Sequence, residues 1–331
     1  MPQPVPDISV VVPLYNEEAT LEELFYLIRD VCVEEGLSFE VWFVDDGSTD
    51  GSWDVIQRLH EEDPRAAGVR FLRNYGKSAA LAVGFERVRA PVVVTIDADL
   101  QDDPREIPGL VGQLEEGYDL VSGWKKNRKD PLQKTISSRF FNFFTRMVSG
   151  IPLHDFNCGL KVYRREVVQN VQIYGELHRY IPLLAKWEGY DRISERPVKH
   201  HPRRHGDTKF GLERYLRGFL DLISVSFLVR FAARPMHFFG TFGGLFFVVG
   251  VVISAYLTVM KFMGRPLQDR PLLFLGMLLI MVGVQLFSTG LLGEMIIRPK
   301  MEDTSGYQIA RTFEPALPGD PAVLTEQENE T

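Results

Sequence analysis

The residues best suited to chemistry stand at the ends of apolar runs. Ile96-Asp97-Ala98-Asp99-Leu100-Gln101 places two carboxylates at i and i+2 directly after a Val-rich stretch. Packing offers no reason for that pair, because an unpaired charge carried into a core is costly. Hard oxygen donors of this kind suit Mg2+ or Mn2+, which take one or two carboxylates and complete their shell with substrate phosphates. A D-x-D pair also occurs in solvated turns, so the spacing alone does not decide. Val44-Asp45-Asp46-Gly47-Ser48-Thr49-Asp50-Gly51 repeats the arrangement after FEVWFV. Gly47 permits a tight turn, and Ser48, Thr49 or Asp50 can cap a following helix. Capping leaves the two adjacent acids unexplained, and a carboxylate there can accept hydrogen bonds from a nucleobase N–H or ribose hydroxyls.

Asn74-Tyr75-Gly76-Lys77-Ser78 ends like a phosphate loop, but that motif requires glycine where Phe71 stands. No G-x-G-x-x-G follows a strand-like run either. Both facts weigh against kinase-type and dehydrogenase-type uses of nucleotides. Asp155, in His154-Asp155-Phe156-Asn157-Cys158-Gly159, is a base or an orienting group, or equally a turn-former bonded to backbone.

The elements that must hold these groups are legible. ISVVVPL (8–14), FEVWFVD (39–45), GVRFLRN (68–74), PVVVTID (91–97) and YDLVSGW (118–124) read as buried strands. Helical patterns over Glu18–Cys32, Ser52–His60, Ser78–Val88 and Arg105–Glu115 separate them. That alternation predicts an α/β fold with a mostly parallel sheet and helices on both faces, whose ligands bind beyond the carboxyl ends of the strands.

Charge and hydropathy are unevenly spread along the 331 residues. The net charge of −7 gives no general reason for nucleic-acid binding, yet residues 196–234 hold nine Lys/Arg and three His against three Asp/Glu. Segments 133–149 and 211–233 read as amphipathic, basic-flanked helices suited to a core or to a membrane interface. Phe238–Met260 and Pro271–Gly293 are each 23 residues without a charge, longer than the roughly 20 a membrane-crossing helix needs. Glycines 240, 243, 244 and 250 in the first of them allow close helix packing. After Met301, seven acids and three prolines read as a disordered tail. Cys32 and Cys158 have no metal-ligand spacing, in keeping with a reducing compartment. The N-terminus shows no signal-peptide pattern, so the expectation is a cytoplasmic catalytic region, with both flanks of the membrane hairpin on that side.

The ordered set VVPLYNEE, DDGSTDGS, NYGKSAALAVGF and DADLQDDP over residues 8–110 resembles the N-terminal half of family-2 glycosyltransferases. With two C-terminal spans, the chain is similar to polyprenyl-phosphate glycosyltransferases of the dolichol-phosphate-mannose synthase type. The resemblance implies a GT-A catalytic domain (1–210), a juxtamembrane helix (211–234), a two-helix membrane hairpin (235–300) and the tail (301–331). It implies a nucleotide-sugar donor, with UDP-glucose preferred, an Mg2+ or Mn2+ cofactor, and a polyprenyl phosphate such as undecaprenyl phosphate as acceptor at the cytoplasmic face of the inner membrane. It also makes a homotetramer plausible.

Residue roles follow from the same likeness. Pro13, Tyr15 and Glu17 would line the nucleoside pocket, Asp46 would contact base or ribose, and Lys77 joins the donor-binding set. Asp97 would lie near ribose and metal, while Asp99 and Gln101 would hold the ion. Arg203-Arg204-His205-Gly206-Asp207-Thr208-Lys209 matches an R-x-x-G-x-[ST]-K loop, in which Arg203 and Lys209 would engage phosphates. Lys125, Arg128 and the stretch from Ser137 to Arg139 stand where the acceptor phosphate is expected, with Arg128 also counted among the catalytic groups. The expected reaction is a single displacement with inversion. Two other readings stay open: a processive polysaccharide synthase, which would add spans and a Q-x-x-R-W motif, and an idle membrane scaffold that only binds nucleotide sugar.

Overall fold

The structure is a computed structural model that describes residues 5–126, 142–143, 145–147, 149–175, 177–201, 235–264, 271–297 and 309–313. Eight strands form one sheet: β1 (Ile8–Leu14), β2 (Phe39–Asp45), β3 (Ala66–Phe71), β4 (Val92–Thr95), β5 (Leu120–Trp124), β6 (Lys161–Arg164), β7 (Ile193–Pro197) and β8 (Ile309–Phe313). Their spatial order is β7-β5-β6-β4-β1-β2-β3-β8. Strands β4, β1, β2 and β3 run parallel, and β6 enters antiparallel between β4 and β5. The two most apolar runs, β1 and β2, are buried along their whole length at the centre.

Helices α1 (Glu18–Glu34), α2 (Ser52–Glu62), α3 (Lys77–Arg87) and α4 (Ile107–Glu115) connect these strands, with α5 (Arg165–Asn170) and α6 (Ile181–Trp187) beyond them. Helix α1 buries Leu21, Leu24, Phe25 and Ile28, the 3–4 spacing of a core-facing stripe. Because β1, β2 and β4 are parallel, the loops after Leu14, Asp45 and Thr95 all leave from one edge of the sheet, where the acidic motifs sit.

Two long helices, α7 (Pro235–Phe262) and α8 (Pro271–Ile297), form a separate compact unit. Both are long and apolar enough to cross a membrane, and most of their surface is not buried within the protein. Glycine lets their backbones meet: a Cβ on Gly243 would lie 2.7 Å from the Gly283 carbonyl oxygen, and one on Gly250 would lie 2.7 Å from that of Gly276.

Two departures from the sequence reading stand out. Strands β6, β7 and β8 have no counterpart among the expected strands, since they are short and carry charged residues. Strand β8 pairs antiparallel with β3, so the expectation of a disordered tail fails for Ile309–Phe313; a sheet edge with unpaired backbone groups gives even a polar segment a place to bond. The amphipathic segment 211–233 lies outside the described residues, as does most of 133–149, of which Asn142, Phe143, Thr145–Met147 and Ser149 are described.

Candidate active site

The loops after β1 and β2 are knitted together by side chains. The Asn16 N–H donates to Ser48 Oγ at 2.9 Å, the Thr49 N–H to Asn16 Oδ1 at 2.8 Å, and the Glu17 N–H to Ser52 Oγ at 3.0 Å. Tyr15 projects exposed from this knot, and Pro13 is buried inside β1 opposite Val44. Gly47 has φ +72°, and a Cβ there would meet the Arg73 backbone at 2.6 Å. The turn therefore depends on glycine at that position.

Asp45 and Asp46, both buried, brace the next layer. Asp45 accepts the Ser48 N–H at 2.8 Å, whereas Asp46 accepts the Tyr75 N–H at 2.6 Å and the Gly76 N–H at 2.9 Å. Burial pushes both carboxyls above their ordinary range against the pull of these bonds. Asp46 thus anchors the loop that delivers Lys77, and Lys77 forms an ion pair with Asp97. Burial works against the Asp97 charge, but Lys77 more than offsets it and holds the group low.

Asp97, Asp99 and Gln101 follow β4 on a strained path. Leu100 takes φ +55° and Asn16, across the loop, φ +57°; these are the only non-glycine residues with positive φ among the described residues. A leucine in that region costs of order 1–3 kcal/mol, and such strain gathers where a fold must aim side chains. Asp99 is half-buried and accepts the Gln101 N–H at 3.2 Å. Its carboxyl is pushed up, first by burial and then by the Asp97 charge. No group of three or more His, Cys, Asp or Glu that could hold a metal occurs among the described residues. A one- or two-carboxylate site at a strand end fits Mg2+ or Mn2+ completed by substrate phosphates, and fits poorly with a closed structural metal site.

Lys125 has a partner that the sequence did not disclose. Its ammonium sits 2.8 Å from Asp102, which is fully buried, and His200 lies 3.8 Å from the same carboxylate. Burial opposes both charges, yet each overrides the penalty for the other, so Asp102 is held low and Lys125 high. Lys125 therefore pins the D-x-D loop, where the resemblance had it meeting an acceptor phosphate. The His201 N–H donates to the Gln101 carbonyl at 2.8 Å. The chain leading into the basic Arg203–Lys209 stretch is thereby bonded beside the acidic loop. Arg203 and Lys209 themselves, like Arg128, Ser137 and Arg139, lie outside the described residues.

Asp155 is buried and accepts the Asn157 N–H at 3.1 Å, the geometry of an Asx turn. Its segment does reach the site: a Cβ on Gly159 would fall 2.5 Å from the Asp97 carboxylate, so that approach requires glycine. Behind Asp97 lies a cavity lined by Lys77, Asn157, Lys161, Tyr163, His178 and Arg179, among others. Ser78 and His178 hydrogen-bond at 3.0 Å, and burial, followed by Lys77, pushes His178 down to about 3. Sequence reasoning missed Lys161, His178 and Arg179. A lysine inside the otherwise apolar LKVY run was the available signal.

The fold is that of a glycosyltransferase, as the comparisons show. The model of glycosyl transferase family 2 matches residues 9–172. A dodecaprenyl-phosphate galacturonate synthase from Rhizobium johnstonii is 38% identical over 315 residues, covering 93% of each chain. An undecaprenyl-phosphate 4-deoxy-4-formamido-L-arabinose transferase from Pseudomonas aeruginosa is 37% identical over 301 residues, covering 90% of this chain and 87% of the other. Among solved structures, glucosyl-3-phosphoglycerate synthase from Mycobacterium tuberculosis, in complex with Mn2+, uridine diphosphate and phosphoglyceric acid, aligns with TM-score 0.51 and 26% identity over 68% of this chain and 78% of that one. This chain belongs to the polyprenyl-phosphate sugar transferases of glycosyltransferase family 2.

Proposed function

We propose that the chain transfers a single hexose-type sugar from a UDP-linked donor to a polyprenyl phosphate, with inversion at the anomeric carbon and dependence on Mg2+ or Mn2+. The observation that carries this is the meeting of Asp46, Asp97 and Asp99 at one sheet edge, with the approach to a basic loop bonded to Gln101. An acceptor phosphate oxygen attacks the anomeric carbon as the bond from that carbon to the β-phosphate oxygen breaks, and the nucleoside diphosphate leaves with the bonding electrons. The attacking oxygen is already anionic, so no strong base is needed. This suits Asp155, whose carboxylate orients its own turn. A divalent ion held by Asp99, with Gln101 and Asp97 beside it, would supply charge stabilisation at the leaving diphosphate. Arg203 and Lys209 would add to it, while Arg128, Ser137 and Arg139 would hold the acceptor phosphate. Tyr15, Pro13 and Glu17 would frame the nucleoside, with the Asp46-braced loop beneath it.

The two long apolar helices would anchor the chain in a membrane that carries the lipid acceptor. The chain leaves the sheet before α7 and rejoins it as β8 after α8, an order in keeping with an even number of crossings and both flanks on one side. That supports a hairpin with the catalytic unit and both termini cytoplasmic, and a homotetramer is compatible with it. The test is transfer from radiolabelled nucleotide sugars to undecaprenyl phosphate in detergent, with Mg2+, Mn2+ or EDTA. A metal-dependent, lipid-extractable product is expected, and Asp99→Ala should abolish it. Donor binding with no turnover under any condition would instead mark an idle scaffold.

A further inference from the structure

Two lysine–aspartate pairs hold the loop that follows β4, and they are built differently. The Lys125 and Asp102 side chains are 11% and 0% exposed, so their pair is sealed. Those of Lys77 and Asp97 are 34% and 31% exposed. An ion pair open to solvent gains little from holding one geometry, so its partners exchange readily. Lys77 also draws no support from its own helix. It is the first residue of α3, whose first turn carries no acid, and the positive end of a helix dipole disfavours a cation there. The helix begins after Gly76 at φ +95°, and Asp46 holds the Tyr75 and Gly76 N–H groups. The backbone is thus anchored by one carboxylate, while the ammonium at the far end of the side chain rests on another.

Asp97 is also crowded. The Lys77 ammonium donates to its Oδ1, and a Cβ on Gly159 would fall 2.5 Å from its Oδ2. A divalent ion reaching this carboxylate by itself meets an ammonium already bonded to it, and like charges a few ångströms apart repel at a site only partly open to water. A diphosphate changes the balance. Ions of this class complete their shell with substrate phosphates, which brings anionic oxygens beside Lys77. The ammonium can then trade one anionic partner for another and keep its charge.

Resting on the metal-dependent transfer proposed above, we propose that Lys77 is a built-in counter-ion of Asp97 that opposes a divalent ion by itself and yields to one that arrives with the donor's diphosphate. Metal and nucleotide binding are thereby coupled through this lysine, and each tightens the other by the same factor.

The test measures Mn2+ binding to the full chain in detergent, by loss of the free-ion electron paramagnetic resonance signal, with and without UDP. Wild type should bind Mn2+ weakly alone and ~10-fold or more tightly with UDP. Lys77→Met should bind Mn2+ alone ~5-fold or more tightly than wild type does, and should gain less from UDP. Lys77→Arg, which keeps the charge, should behave like wild type. Arg179→Met removes a cation that lines the same cavity and should move the Mn2+ affinity far less than Lys77→Met. An equal gain there would mean that general charge, and not the pair with Asp97, sets the affinity, and the proposal falls. It falls too if Lys77→Met leaves Mn2+ binding unchanged. Wild type that binds Mn2+ as tightly alone as with UDP overturns it even if the variants do not fold. Each of these results leaves the transfer reaction standing if Mn2+ supports lipid-linked product. No Mn2+ binding with or without UDP would overturn the metal dependence itself, and this proposal with it.

Discussion

The two ends of the sheet treat buried acids in opposite ways. At the end where the strands begin, Glu40 is 1% exposed and fully served: Ser9 Oγ donates to it at 2.5 Å, the Arg89 N–H at 3.1 Å, and the Arg89 guanidinium at 2.8 and 3.2 Å. At the end where the strands finish, Asp45 accepts the Ser48 N–H with the Arg70 guanidinium 3.5 Å away, Asp46 accepts two backbone N–H groups and Asp99 the Gln101 N–H, and burial pushes all three carboxyls up. The first end has neutralised its charge within the protein and needs nothing more. At the second end cations reach Asp45 and Asp97, yet the carboxyls of Asp45, Asp46 and Asp99 stay raised, an arrangement that suits a divalent ion and a nucleotide. Acidity is shared by both ends; what differs is how far bonding offsets burial, fully at Glu40 and only in part at Asp45, Asp46 and Asp99.

Substitutions can break that contrast. The largest effect is expected at Asp99. Asp99→Ala should cut lipid-linked product formation about 10²–10³-fold, the scale of losing one main electrostatic contributor to a transition state. Its melting temperature should hold or rise, because like-charge repulsion with Asp97 disappears. A variant that melts several degrees lower would mean that Asp99 is structural. Arg89→Met should do the reverse, leaving Glu40 buried without its partner at a cost of about 3 kcal/mol. Thermal melting in detergent would report that loss, while turnover per folded molecule should match wild type.

Asp46→Asn sharpens the comparison at an intermediate scale. One amide oxygen remains to serve the Tyr75 and Gly76 N–H groups, and the amide NH2 faces a donor. A loss of about 1–3 kcal/mol is expected, together with a raised KM for the nucleotide sugar as the Lys77 loop loosens. An unchanged KM would remove Asp46 from the donor site. The smallest effect concerns the β3 edge of the sheet. Deleting residues 307–331 removes β8, and β3 should lose about 1–2 kcal/mol of ladder hydrogen bonding. Faster amide exchange confined to Gly68–Phe71 would show it.

Legibility followed how local each feature is. Strands β1 and β2 agree residue for residue with the apolar runs, because both faces of a central parallel strand are buried and nothing interrupts the pattern. The membrane-length helices were legible for the same reason. Asp45, Asp46, Asp97 and Asp99 were found because an acid at the end of an apolar run stands out without knowledge of any partner. Lys125 was assigned to the acceptor phosphate, and its ion pair with the buried Asp102 could not be read from the sequence. Lys161 was passed over because a single lysine in a short strand looks like a solvated edge.

Taken alone, the sequence determined the alternation of elements, the edge of the sheet on which acids collect and the two apolar helices. These follow from periodicity and burial, which act over a few neighbouring residues. Only the tertiary structure decided which charges cancel: Lys125 with Asp102 across 23 positions, and Lys77 with Asp97 across 20. It also decided that Ile309–Phe313 closes the β3 edge. Charge pairing and strand addition depend on groups far apart in the chain arriving within a few ångströms, and no local pattern records that arrival.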